Sequence, residues 1–335
     1  MTKTTRLWSA VGVMAVSIVV LLAAITWPEW LETLLISRKA FFSALLNGIT
    51  VAGLYFIVAA GFTLIFGLMR IVNMAHGTLY LLGAYIGYEV VSRSGSWLLG
   101  AAAAFLSIAA AGVLLQVLVF RRIEKDELRQ TLVSIGLTIL FADIMMAIWG
   151  GETFQIPMPE LLGGSAKLPI ISAVKSNGTV VYLSYPIYRL FVLATALVVG
   201  AALYLMLTRS RIGLMVRAGV DDRGMLAASG VNVDRVFVAI FGLGAGLAGF
   251  AGLIGGTALS VSPGEDIRYL LASLVVVIVG GMGSIGGAAI GAVLVGVTGQ
   301  LGLVYFPSYS AVCTFLIMVI TLMIRPEGIM GKVRK

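Results

Sequence analysis

The chain is poor in charge. Asp, Glu, Lys and Arg make up 11% of 335 residues, where a soluble domain carries about a quarter. That scarcity excludes a soluble globular enzyme and a disordered chain, which both need far more polar surface. Cysteine is limited to Cys313 and histidine to His76. A disulfide scaffold is therefore excluded, as is a metal site built from several His and Cys ligands. Catalytic signatures are missing as well: no P-loop, no G-x-S-x-G in a strand–turn–helix setting and no H-E-x-x-H. The chain shows no catalytic apparatus of its own. If it moves solute with ATP, a partner supplies the ATPase.

Apolar residues and glycine are abundant. Hydrophobic residues reach 60%, and there are 41 glycines. A helix needs about 20 apolar residues to cross hydrocarbon about 30 Å thick. Ten segments approach that length: 7–27, 41–67, 71–92, 97–120, 131–150, 188–208, 236–258, 269–282, 285–305 and 309–325. The eighth is short and reads as a broken or half helix. The expected fold is an all-α polytopic membrane protein of about ten transmembrane helices, forming one membrane domain over 1–335.

Ten crossings that start inside place sixteen of the 23 Lys and Arg residues on the cytoplasmic side and seven outside. The positive-inside rule then puts both termini in the cytoplasm. The net charge of +8 is thus read as a topology signal and not as a nucleic-acid surface. Lys3 and Arg6 before an apolar run mimic a signal peptide. The run is long and lacks an A-x-A site, so 7–27 reads as a retained span anchored by Trp27 and Trp30. Residues 151–187, with four prolines and the polar tip 175–178, read as an external loop. Residues 209–235 read as the largest cytoplasmic loop.

Two glycine runs stand out, 242–256 and 280–291. Small residues let helices pack closely in lipid. Runs on either side of a short span also suit a discontinuous helix, as transporters use near their binding sites. Gly67, Gly280, Gly281, Gly283, Gly286 and Gly287 are the candidate helix-break positions. Polar side chains inside spans are few: Asn47, Asn73, His76, Gln116, Asp143 and Gln300. Each is costly in lipid unless paired or wet. Asp143 is either a proton or cation site, a hydrogen-bonded structural acid, or the lining of a wet cavity. Counted from Arg70, six helical residues place His76 roughly 9 Å into the membrane. It would share a face with Asn73, where the pair would line a path, cap a helix break or simply pack. Asn47, Asn73, His76, Gly77 and Asp143 are the candidate translocation residues.

In the 209–235 loop, Asp221 to Ala228 carries helix formers, opens with two acids that suit a helix N-terminus, and is followed by Gly230 as a stop. A short helix there would either dock a partner or lie on anionic lipid.

Four patches, in order, carry a family resemblance. The first is Gly61–Met69 running on to Asn73–Gly77 and Gly83-Ala84-Tyr85. The second is Arg217-Ala218 with Asp222, Met225, Gly230-Val231-Asn232 and Arg235-Val236. The third is Gly280–Ile285 with Gly287 and Gly291. The fourth is Phe306–Tyr309 with Arg325-Pro326-Glu327-Gly328. Over about 41–331 the chain resembles the membrane permease of branched-chain amino acid ABC importers, LivH type. The span 7–27 looks like an addition beyond shorter members.

The resemblance implies a bacterial inner-membrane pore of two permease subunits, identical or homologous. It also implies two cytoplasmic ATP-binding subunits that use ATP and Mg, and a periplasmic solute-binding protein. No cofactor is expected on this chain, and no nucleic-acid partner. It makes 217–232 look like the segment docking the ATPase, with Arg217, Ala218, Asp221, Asp222, Met225, Gly230, Asn232 and Arg235 as coupling residues. Gly224 and Leu226 depart from the family pattern, which leads us to expect a better helix former and a small residue. Urea or short amides are alternative cargo for the same importer class. An ion-coupled carrier using Asp143 and a passive channel are alternative classes.

Overall fold

The computed structural model describes residues 38–69, 73–123, 126–174 and 180–331. The expected span 7–27 and the loop tip 175–178 lie outside the described residues. The other nine expected segments are all helical. They are α1 (Arg38–Met69), α2 (His76–Ser94), α3 (Trp97–Leu118), α4 (Glu127–Trp149), α5 (Ile187–Arg209), α8 (Val233–Ala258), α9 (Glu265–Gly280), α10 (Ile285–Tyr305) and α11 (Ser310–Ile324). Two short helices, α6 (Arg211–Asp221) and α7 (Arg223–Ala228), follow α5. Seven described helices are long and apolar enough to cross a membrane: α1, α3, α4, α5, α8, α10 and α11. Helices α2 and α9 do not meet that test, and α11 meets it only together with the 3₁₀ turn before it (Pro307–Tyr309).

Helices α1 and α8 form the centre, where most of their residues are buried. Helix α8 owes its position to glycine. Its Gly244 faces Gly61 of α1, Gly249 faces Gly83 of α2, and Gly246 packs beside Ala109 of α3. Lipid offers no hydrophobic drive between helices, so backbone-to-backbone packing of this kind supplies dispersion contact that larger side chains would block. The run 242–256 is thus a continuous, tightly packed helix.

The run 280–287 behaves differently. Helix α9 ends at Gly280, and Gly281 (φ 104°) and Gly283 (φ 82°) carry the turn into α10. Those φ values exclude residues with a Cβ at little less than a strained cost. Ser284 then caps α10, accepting from the Gly287 N–H at 3.0 Å. Gly67 lies inside α1, where its backbone approaches Gly283. Gly286 and Gly287 fall in the first turn of α10.

The open end of α9 is closed from elsewhere in the chain. Residues after α11 fold back, and the Ile329 and Met330 N–H groups donate to the Val279 and Gly280 carbonyls, each at 2.9 Å. These are terminal carbonyls that α9 itself cannot satisfy. Gly328 also packs against the Gly281 backbone, so the third and fourth sequence patches are in direct contact. Met330→Pro removes one donor and leaves a buried carbonyl unpaired, which costs about 1–3 kcal/mol. A lowered thermal unfolding midpoint of the purified protein checks this; an unchanged midpoint argues against the closure.

Three expectations need correction. Residues 151–187 are not a plain loop. They hold a 3₁₀ turn (Glu160–Leu162) and an antiparallel hairpin, β1 (Ser165–Val174) with β2 (Val180–Pro186). Its register slips between Leu168 and Ile171, beside Pro169, which has no N–H to give the ladder. The fold is thus all-α apart from this hairpin. Next, α2 starts at His76 and not near 71, because the Asn73 carbonyl accepts from His76 N–H at 3.2 Å and its side chain accepts from Ala75 N–H at 3.1 Å. Asn73 and His76 accordingly do not share a helix face. Finally, α9 begins at Glu265, ahead of the expected 269, where Glu265 and Asp266 suit the positive helix end.

Candidate functional site

The hairpin and the α6–α7 pair lie at opposite ends of the chain's long helices: the hairpin at the start of α5, the pair at its end. At the α6–α7 end, the sequence leads to a single helix over 221–228. The structure breaks it. Helix α6 closes at Asp221, and Asp222 is extended (φ −153°, ψ 108°). The Asp222 side chain accepts from the Met225 N–H at 3.0 Å and so caps α7. The two acids therefore end one helix and begin the next.

The α6–α7 pair presents a mixed face. Arg217, Ala218, Asp222 and Met225 are exposed, Met225 at 72%. Leu226 is turned inward at 6%. The departure from the family pattern at 226 thus serves as an apolar anchor that holds α7 against the bundle. Gly230 (φ 82°) turns the chain, and Asn232 caps α8 by accepting from the Arg235 N–H at 3.1 Å. Just beyond the cap, Asp234 pairs with Arg121, which follows α3. Sequence reasoning missed this clamp because 113 residues separate its members. Asn232, Asp234, Arg235 and Arg121 line a cavity of about 380 Å³ at this end.

The candidate translocation residues fall in three separate places. His76 is fully buried, donating from Nε2 to the Val58 carbonyl at 3.0 Å, with its ring edge-on to Phe62. Asn73 is buried beside it and caps the start of α2. Gly77 lies against the Asp266 backbone of α9, where no Cβ fits. These three close a helix junction. Asp143 is exposed on α4, flanked by exposed Leu140 and Ile144, six residues or about 9 Å before the helix ends. Asn47 lies on α1, eleven residues or roughly 16 Å from Val58.

Asn47 belongs to a recess at the hairpin end. It accepts a hydrogen bond from Arg189 of α5. The recess measures about 80 Å³ and is lined by Asn47, Thr50, Leu54, Arg189, Val192 and Gln300, among others. Tyr185 of β2 fixes its rim: its hydroxyl donates to the Leu46 carbonyl at 2.9 Å and pairs with the Thr50 hydroxyl at 2.7 Å. In sequence Arg189 reads only as one more external charge; its place three residues after Pro186, at the head of a span, was the available signal.

Comparison with known proteins identifies a family. A family model described as "Branched-chain amino acid transport system / permease component" matches residues 44–322. The permease protein LivH of the high-affinity branched-chain amino acid transport system of Salmonella typhimurium is 27% identical over 304 residues, covering 87% of this chain and 96% of that protein. BraD of Pseudomonas aeruginosa, named for the same kind of system, is 28% identical over the same shares. LivM of Salmonella typhimurium is 26% identical over 334 residues, 94% of this chain and 74% of its own length. No solved structure matches. With residues 44–322 matched by that model and the described residues forming a helical, glycine-packed bundle, the chain belongs to the branched-chain amino acid transport permease family.

Proposed function

We propose that this chain is the non-catalytic, membrane-spanning subunit of an ABC importer in the bacterial inner membrane, passing branched-chain or other hydrophobic amino acids. One observation carries the reading. The α6–α7 pair offers an exposed, capped, partly apolar surface between two spans, with Met225 exposed on α7. A surface of that kind suits protein docking better than a lipid plane, because its apolar and charged residues are mixed on one short element. The family match and the names of the relatives support the same reading.

In this reading the α6–α7 end and both termini face the cytoplasm, and the hairpin faces the periplasm. Two ATP-binding subunits dock on the α6–α7 pairs of two permease subunits and hydrolyse ATP with Mg. A periplasmic binding protein delivers the cargo. The likeness to both LivH and LivM supports a second, homologous permease as partner. ATP binding shifts the pore between its two openings only if it stabilises one of them more than the other. The clamp Arg121–Asp234 and the cap at Asn232 tie the moving surface to α3 and α8. A zwitterion with an aliphatic side chain needs a polar path without a ring of fixed like charge, and the spans offer few charges.

The test is ATP-dependent uptake of labelled leucine and urea in proteoliposomes holding the whole complex, with Arg217→Glu alongside. Leucine uptake that needs ATP and collapses in Arg217→Glu, with assembly intact, is the expected result. Urea uptake in its place would change the cargo and keep the importer. Uptake by this chain alone, indifferent to ATP and abolished by Asp143→Asn, would make it an ion-coupled carrier.

A further inference from the structure

We propose that the recess around Arg189 and Asn47 is a substrate station that receives the carboxylate of an amino acid on its way into the pore. The inference rests on the reading above and deepens it, by naming the substrate group that the chain recognises and where.

The charge pattern points there first. Arg93, Arg121, Arg129 and Arg268 each meet a carboxylate, although each is exposed. Arg189 is half-buried and meets no carboxylate among the described residues. Its partners are neutral: the Asn47 Oδ1 and the Tyr185 ring, 5.7 Å from the guanidinium carbon. A guanidinium withdrawn from water without a counter-charge is costly. Its flat fork of N–H donors matches a carboxylate in two-point geometry. One donor is spent on Asn47, and the rest remain.

The surroundings complete the fit. With its oxygen engaged by Arg189, Asn47 has its amide N–H₂ left to donate, and Gln300 brings a second amide from α10. The lower wall is apolar: Val51 and Leu54 from α1 and Val192 from α5, closed by Ala258 of α8. About 80 Å³ accommodates roughly five water-sized groups. That is room for a carboxylate and the first carbons behind it, and too little for a hydrated phosphodiester with its lipid. The recess is held open by hydrogen bonds that leave the remaining donors of Arg189 and the Asn47 amide free, since Tyr185 ties the hairpin to Leu46 and Thr50. Three helices and the base of a hairpin thus hold a cation and two amides over an apolar floor.

The experiment uses the full complex with its binding protein in proteoliposomes. Leucine uptake is measured as the leucine-loaded binding protein is raised to saturation. Arg189→Gln and Arg189→Lys are compared with Lys167→Gln, an exposed charge on β1 outside the recess. We expect the maximal rate to fall at least about tenfold in Arg189→Gln, with Arg189→Lys between it and the wild type. Lys167→Gln keeps the wild-type rate. A raised half-saturation with the wild-type maximum restored would mean that Arg189 pairs with the binding protein, and overturns the proposal. Unchanged curves would leave Arg189 a headgroup or structural cation, and overturn it too.

Ala258→Phe guards against a variant that fails to assemble. It narrows the floor, so the leucine-to-alanine uptake ratio should fall about tenfold; an unchanged ratio counts against the station. The two readings fail separately. Wild type that accumulates only an uncharged solute overturns the station and the amino-acid cargo, and keeps the importer. Wild type that accumulates another carboxylate, with the same dependence on Arg189, keeps the station and removes the amino-acid cargo.

Discussion

Gly249→Val is expected to abolish the folded protein, while Gly136→Ala is expected to be harmless or stabilising. Both positions are mid-helix glycines in spans, and only packing separates them. A Cβ at Gly249 would lie 2.6 Å from the Ala104 carbonyl oxygen and 2.7 Å from the Ile108 Cβ. Both neighbours are fixed, one by the α3 backbone and one by a fully buried side chain. On the opposite side, Gly83 already brings the α2 backbone against Gly249. Helix α8 cannot retreat from α3 without colliding with α2, so the penalty is at least about 3 kcal/mol. A Cβ at Gly136 meets nothing within 4 Å. Alanine there gains up to about 1 kcal/mol from the backbone entropy that glycine forfeits in a helix. Thermal unfolding of detergent-purified protein, together with the yield of monodisperse material, reads both outcomes. Two variants that behave alike would show that α8 is not wedged as described.

Met225→Asp is expected to cut ATP-driven uptake about a hundredfold with the bundle still folded. Met225 is 72% exposed on α7 and contributes little to the fold. In a docked complex, it would carry an unpaired carboxylate into an apolar contact. That costs about 3 kcal/mol, roughly a hundredfold in affinity. Asp222 separates surface from scaffold. Asp222→Asn keeps a good cap for α7, whereas Asp222→Ala removes the bond to the Met225 N–H and loosens α7 by about 1 kcal/mol. If the cap matters, Asp and Asn support similar uptake and Ala less; if the charge matters, Asn and Ala lose equally. Co-purification of the ATP-binding subunits, measured beside uptake, distinguishes lost docking from lost transmission. A Met225→Asp complex that assembles and transports normally would remove α7 from the docking surface.

The helices themselves were readable in the chain because lipid imposes a simple rule. Apolar runs such as 188–208 and 285–305 have to be helical to satisfy their backbone, and the structure gives Ile187–Arg209 and Ile285–Tyr305. Ends were readable where a single local side chain sets them, as Ser284 does for α10. They were not readable where the determinant is remote or competes with periodicity. The apolar pattern from 71 onward gives no sign that Asn73 will bond to its own neighbours and delay α2 to His76. The hairpin was hidden because its pairing is irregular and its first strand is interrupted by Pro169. In the same way, two adjacent acids look like one helix start, although Asp221 ends α6 and Asp222 caps α7.

Composition and order of residues alone determined that this protein is a polytopic helical membrane permease. Charge scarcity, segment length and four ordered patches are properties that each stretch of chain carries by itself. The tertiary structure decided which polar and small residues meet. It joined Ile329 and Met330 to the end of α9, Arg121 to Asp234, and Arg189 to Asn47 across 142 residues. It also divided the glycines between helix crossings and a true break, which the one-letter pattern cannot do. The reason is physical: burial and helix formation are local responses to the solvent, whereas the pairing of polar groups depends on how helices far apart in sequence cross in space.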